Sequence, residues 1–438
     1  MRKMNWVAIP LMMATVLAVG CSSSSDEDDP QPVIDPVDLP TTLELTRAEQ
    51  EMVNSSNDFA FNLFRMAQDE KESQILSPIS ITYALGMLNN GAAGETQQQI
   101  NKVLGFGETG ARGINDFCYK MLNWASTSDP QTKVMIANNI YFNTDWKTKY
   151  GHPNMELFPS FVSTAKAFYD AEPESRSFSD GKTRDVINQW ASDHTEGMIE
   201  EVLKEDELKP HFISYLLNVI YFKGTWRYPF DKNMTINEEF IHAGSTKELM
   251  IKPMMHQQAW LEYAETETFQ VLRLPYGEIL DCGLYPQSSF RMTILLPKAK
   301  TNALPEVPTA EIWQQLKQMT CVNVDVKLPR FESDTNIDLK PIMEKLGMIK
   351  AFDEDFAEFP YFCIDPPEHI WIALMKQVAK IKLDEEGTEA AAVTVIGVNG
   401  KDGCTPDIVR FHANHPFLYV ISEQQTGAIF FIGQYTGY

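Results

Sequence analysis

The 438-residue chain carries eight histidines and many serines and acids, but their spacing does not assemble a catalyst. It has no G-x-S-x-G elbow to expose a nucleophilic serine, no H-E-x-x-H pair for zinc and no glycine-rich phosphate loop. Ser77 and Ser80 flank Pro78 at what reads as a helix entrance, where capping accounts for them. His412 and His415 stand three apart on an extended segment and point to opposite faces, so no shared metal is expected there, nor any other cofactor. The stretch that stands out is 381–404, IKLDEEGTEAAAVTVIGVNGKDGC. Its front is charged and then Ala-rich, like a solvated loop. From Thr388 onward, Thr388, Ala390, Ala392, Thr394, Ile396 and Val398 form a small or apolar ladder with a strand's period of two. No proline interrupts residues 385–405, so the segment could pair inside a sheet as well as sit outside one. A segment with both options is the mark of a switch.

The elements around it read as helices early and strands late. Phe59, Phe61, Leu63, Phe64 and Ala67 suit a helix opening near Asn54, and Ile81, Ala84, Leu85 and Leu88 suit another over 80–90. β-Branched and aromatic enrichment predicts strands at 134–142, 214–222, 291–296, 322–328, 370–383, 417–422 and 429–433. That order fits an α+β protein in one large unit. The hydrophobic content of 44% is enough for a sizeable core, and the net charge of −23 argues against a nucleic-acid or other polyanionic partner. Beyond Cys21, the cysteines Cys118, Cys282, Cys321, Cys363 and Cys404 are scattered with no C-x-x-C spacing. They predict buried or half-buried free thiols, with Cys404 open to oxidation.

Residues 1–20 have a basic start and an apolar run too short for the roughly 20 residues of a membrane span, as an export signal has. The ending LAVGC resembles a lipoprotein processing site with Cys21 as the lipid-bearing residue, although Ala18 stands where that pattern has leucine. Residues 21–42 then read as a tether rich in Ser, Asp and Pro, with the folded domain over 43–438. The acidic run Asp26–Asp29 behind the cysteine resembles an outer-leaflet export signal. The expected location is therefore an outer-membrane lipoprotein, or the surface or exterior of a Gram-negative bacterium, with the lipid as the only membrane contact.

DEEGTEAAA at 384–392, followed by FHANHPFLYVI at 411–421, resembles the serpins, first the hinge of their reactive-centre loop and then their C-terminal signature. LSPISITYALGMLNNGAAGET at 76–96, INQWASDHTEGMI at 187–199, NVIYFKGTW at 218–226, FRMTILLPK at 290–298 and LGMIKAF at 346–352 follow in the family's order. The resemblance implies a serpin fold with three β-sheets, about eight or nine helices and an exposed reactive-centre loop. It implies a monomeric suicide-substrate inhibitor of serine, and also cysteine, proteases, not an enzyme. The loop is cut, and its hinge side then inserts as a central strand that traps the acyl-enzyme. About 14 residues at roughly 3.3 Å each would carry the attached protease some 45 Å. On this reading the hinge is Glu385, Glu386, Gly387, Thr388, Glu389, Ala390, Ala391 and Ala392. Trp226 stands where the sheet first opens, and Ser80 and Asn218 match positions beneath its centre. Gln377 departs from the histidine common in the family. Counting from Glu385 makes Lys401 and Asp402 the residues of the cut bond and the target trypsin-like, while counting back from His415 reaches Thr405 instead. A non-inhibitory binding protein or mere protease substrate of the same fold is the alternative, and small residues at 390–392 weigh against it.

Overall fold

The structure is a computed structural model. It describes residues 42–438 except 108, 129–131, 148–154, 245–248, 278–288, 368 and 389–407. The expectations for residues 1–20, Cys21, the tether up to residue 41, Cys282, Glu389, Ala390, Ala391, Ala392, Lys401, Asp402 and Cys404 lie outside the described residues.

Helix α1 (Arg47–Ala67) begins earlier than Asn54 because Thr46 and Glu49 close a capping box, each side chain accepting from the other's backbone N–H. In α2 (Pro78–Asn89) Ser77 is the N-cap and Pro78 the first helical residue. Every residue of α2 is buried, as expected of a helix apolar on all sides. It packs against β2 (Thr132–Asn143) and β4 (Ser214–Thr225) on one side and β15 (Ile429–Tyr435) on the other. The remaining described helices are α3 (Gly94–Leu104), α4 (Ala111–Thr127), α5 (Pro159–Tyr169), α6 (Lys182–Asp193), α7 (Ala310–Gln315) and α8 (Lys340–Lys345).

One sheet has six strands in the order β10 (Phe331–Asp338), β11 (Leu374–Leu383), β12 (Gly387–Thr388), β4, β2 and β3 (Glu174–Arg176), with β11 also pairing directly with β4. The other strands are β1 (Gln74–Leu76), β5 (Ile236–Ile241), β6 (Leu249–Glu265), β7 (Phe269–Pro275), β8 (Phe290–Pro297), β9 (Thr320–Pro329), β13 (Val409–His412) and β14 (Phe417–Glu423), which with β15 make a nine-stranded network. Within that network the long β6 belongs to two sheets. Its first half pairs with β5, its last residues with β7, and β9 runs along its other edge to reach β13. The three expected sheets are thus one separate sheet and two joined through β6. The main core lies between them, with Phe222 of β4 meeting Phe290 and Phe431 edge-on at 5.7 Å.

The strand expected from Ile370 starts only at Leu374. Ile372 instead donates its N–H to Ala351 in the turn Lys350–Phe352, and the Trp371 carbonyl accepts from Ser214. Cys118 and Cys363 are buried free thiols, but Cys321 is exposed, because β9 begins at the rim of its sheet.

Candidate functional site: the mouth and seam of the six-stranded sheet

β4 and β11 run parallel and pair from Tyr215–Leu374 up to Tyr221–Lys380. Above that level they part, and β12 enters the gap antiparallel to both. Thr388 pairs with Leu383 on one side and Gly224 on the other, and Gly387 pairs with Thr225. Gly387 and Thr388 are therefore strand already, not solvated loop, and Glu385 and Thr388 are buried. The sequence reading missed this because it weighed the acids as a solvated run, whereas Glu385 and Glu386 have partners from distant parts of the chain and Asp384 closes a local turn.

Glu385 forms an ion pair with Arg330 and accepts from the Thr235 hydroxyl at 2.6 Å, while its backbone carbonyl accepts from Phe230 N at 2.8 Å. Glu386 pairs with Lys232. The Asp384 carboxylate closes the turn by accepting from the backbone N–H groups of Glu386 and Gly387. Gly387 sits at φ +148°, and a Cβ there would fall 2.2 Å from the Gly224 carbonyl oxygen, so only glycine fits. Trp226 caps the mouth. Its indole N–H donates to the Asp384 carbonyl at 3.0 Å and its backbone N–H to Glu386 O at 2.9 Å. Its ring stacks on Tyr276 at 4.5 Å, and the Tyr276 hydroxyl lies 2.9 Å from Thr388 Oγ1.

Burial alone would raise the Glu385 carboxyl, but the hydrogen bonds from Arg330 and Thr235 outweigh it and hold the group below its ordinary value of 4.5. Its contribution to stability is then complete above the unfolded-state value and is lost as pH falls below about 4.5 through the folded-state value. Arg330→Met is expected to lower stability at pH 7 by about 2 kcal/mol and to flatten the acid limb of the stability–pH curve. Denaturant midpoints from pH 3 to 8 check this, and parallel wild-type and variant curves would refute it.

Lower on the seam a polar row crosses three strands at one register. Gln377 on β11 pairs with Asn218 on β4, which pairs with Asn138 on β2. Gln377 Nε2 lies 2.5 Å from Asn218 Oδ1 and 3.0 Å from both Ser80 Oγ and the Ser77 carbonyl, three acceptors that share its two hydrogens. Its Oε1 accepts from Ser77 N at 2.9 Å. The Ser80 hydroxyl donates to Asn218 Oδ1 at 2.8 Å, and Asn218 Nδ2 donates to Asn138 Oδ1 at 2.7 Å. The amide of Gln377 thus donates across the seam between β11 and β4 and accepts from the entrance of α2. Ser77 serves this network as well as the cap. Sequence reasoning named Ser80, Asn218 and Gln377 but missed Asn138, whose signal was an amide inside an apolar strand. It also missed Tyr276, Thr235, Arg330 and Lys232, for which the sequence offered no cue.

His412 and His415 go separate ways. His412 Nε2 faces Asp325 at 3.0 Å, with His256 on the other carboxylate oxygen at 2.7 Å, whereas His415 Nε2 donates to the Pro297 carbonyl at 2.8 Å. Among the described residues no group of three or more His, Cys, Asp or Glu could hold a metal ion.

Residues 54–437 match the family model described as serpin (serine protease inhibitor). Human Serpin B8 is 31% identical over 397 residues, covering 88% of this chain and 99% of that protein. Among solved structures, the native state of the thermophilic serpin tengpin aligns with a TM-score of 0.77 at 25% identity over 91% of this chain and 97% of the other. Human thyroxine-binding globulin complexed with its ligand aligns with a TM-score of 0.75 at 24% identity over 88% of this chain and 98% of the other, a likeness of fold alone.

Proposed function

The chain belongs to the serpin family, whose members are generally protease inhibitors, and from that premise we propose that it is a suicide-substrate inhibitor of serine proteases that traps the acyl-enzyme by inserting its cut loop between β4 and β11. The observation that carries this reading is β12 itself, a two-residue strand that already lies in the gap between β4 and β11. Continuing the register Leu383–Thr388–Gly224 downward sets Ala390 between Ile381 and Phe222, Ala392 between Ala379 and Ile220, and Thr394 between Gln377 and Asn218. The small side chains would meet the main core, and a hydroxyl would meet the polar row whose own bond the insertion breaks. One parallel ladder is given up and two antiparallel ladders are gained, which is the direction in which a metastable sheet relaxes.

Within this reading Lys401–Asp402 is the reactive bond and the target is a trypsin-like protease. Mass spectrometry of the peptide released by trypsin is expected to give a fragment beginning at Asp402. A dominant cut after Arg410, or trypsin inhibition that survives Lys401→Ala, would overturn the assignment. We place the inhibitor outside the cytoplasm, tethered by lipid on Cys21. Cys21→Ser is expected to move the protein from the membrane fraction to the soluble one, and an unchanged distribution would refute the tether.

A further inference from the structure

The outer face of the six-stranded sheet is covered by α6 and the segment after it, over an apolar cluster that includes Phe178, Ile187, Leu203, Tyr215 and Val378. Within that cover one residue touches both sides of the seam. The Glu207 backbone carbonyl accepts from the Tyr215 hydroxyl of β4 at 2.7 Å, and its carboxylate accepts from Lys376 Nζ of β11 at 2.5 Å. The turn that carries it is itself fastened. Lys204 N donates to the same carboxylate oxygen at 2.7 Å, and Lys209 N donates to the Tyr215 hydroxyl at 2.7 Å. The Lys376 side chain is only 3% exposed, so water cannot easily replace the carboxylate. The other acid beside it, its β10 register partner Asp338, accepts from the backbone N–H of Lys340 at 3.0 Å and attracts Lys376 through its charge, whereas Glu207 alone bonds the ammonium directly among the described residues.

We propose that Glu207 is a latch across the insertion seam, a positioning residue whose release sets how fast β4 and β11 separate. The proposal rests on the insertion reading above. Neighbouring strands lie about 4.8 Å apart, so a strand placed between these two moves them to roughly twice that distance. A hydrogen bond tolerates a stretch of only a few tenths of an ångström. When the seam opens, Glu207 therefore lets go of Lys376 or of Tyr215, or the covering segment is pulled off one strand. On the outer face the continued register brings Val395 between Lys376 and Leu217, and valine offers the ammonium no acceptor. The latch thus holds the uncut protein closed and has no counterpart once the strand is in.

The test uses the full chain and a synthetic acetylated peptide of residues 389–398, EAAAVTVIGV, whose incorporation is followed by native electrophoresis. Glu207→Ala cuts the β11 side and Tyr215→Phe the β4 side, the latter keeping the ring packed 4.8 Å from Phe178. Each is expected to speed incorporation about tenfold, as loss of one charge-assisted or buried hydrogen bond would. Because a bridge cut at one end is already open, the double variant should be no faster than the quicker single variant. Plain destabilisation would instead multiply the two effects. Equal rates in all four proteins, or multiplying effects, overturn the latch alone. No incorporation in any of them, wild type included, overturns the insertion reading and the latch with it.

Discussion

Cleavage within residues 389–407 is expected to raise the thermal midpoint of this protein by about 20 °C. The continued register runs from Thr388 between Leu383 and Gly224 down to the level of Leu374 and Tyr215, so roughly ten residues enter between two existing strands. At about 1 kcal/mol net for each new ladder bond the inserted form gains on the order of 10 kcal/mol. A domain of this size shifts by about 2 °C per kcal/mol. The bonds given up are the parallel ones between Leu374–Lys380 and Tyr215–Tyr221, together with the Gln377–Asn218 contact. They are fewer and belong to the slightly weaker ladder type. Calorimetry of intact protein and of protein nicked in the loop measures the shift directly. Coincident melts would mean that the seam does not open and that the chain is a non-inhibitory member of its family.

The second large effect is expected from Ala392→Arg. That position continues to a site between Ala379 and Ile220, both fully buried in the main core. A guanidinium there lacks a partner and costs several kcal/mol. On this account residue 392 enters the sheet only after the cut, so the intact variant should fold and melt like wild type. A protease should cut it at the usual rate and go free, so inhibition in a fluorogenic assay falls by at least a hundredfold in stoichiometric efficiency, by about 1.4 kcal/mol per decade. Retained inhibition would contradict insertion at this register. Thr388→Arg is a poorer probe than Ala392→Arg. Thr388 is already buried against Tyr276, and its replacement would disturb the mouth before any cut is made.

What the sequence disclosed follows from how local each signal is. Strands β4, β8, β14 and β15 announce themselves through runs of β-branched and aromatic residues buried on both faces. The long β6 does not, because Pro253 interrupts it and the apolar Ile251 and Trp260 are exposed while His256 and Gln257 are half-buried. β10 hides its period of two by turning Ser333 and Thr335 inward, Thr335 to accept from Ile75 N. At the site, Gly387 and the small ladder after it were legible as a potential strand. The present position of the hinge was not, since it depends on Arg330, Lys232, Thr235 and Tyr276, each far away in sequence. The polar row was three-quarters legible. Ser80, Asn218 and Gln377 stood out by resemblance, and Asn138 needed the pairing of β2 with β4 to bring it into line.

The central claim is that a strand begun at Gly387–Thr388 completes itself between β4 and β11 when the loop is cut, carrying the protease with it. Incubation of the intact protein with a panel of serine proteases, followed by denaturing electrophoresis, tests this most directly. The account predicts a band at the sum of the two masses, less the short C-terminal peptide, that survives boiling in detergent and forms with at least one trypsin-like enzyme. Clean cleavage by every protease that cuts the loop, with no such band and no loss of protease activity, would contradict it.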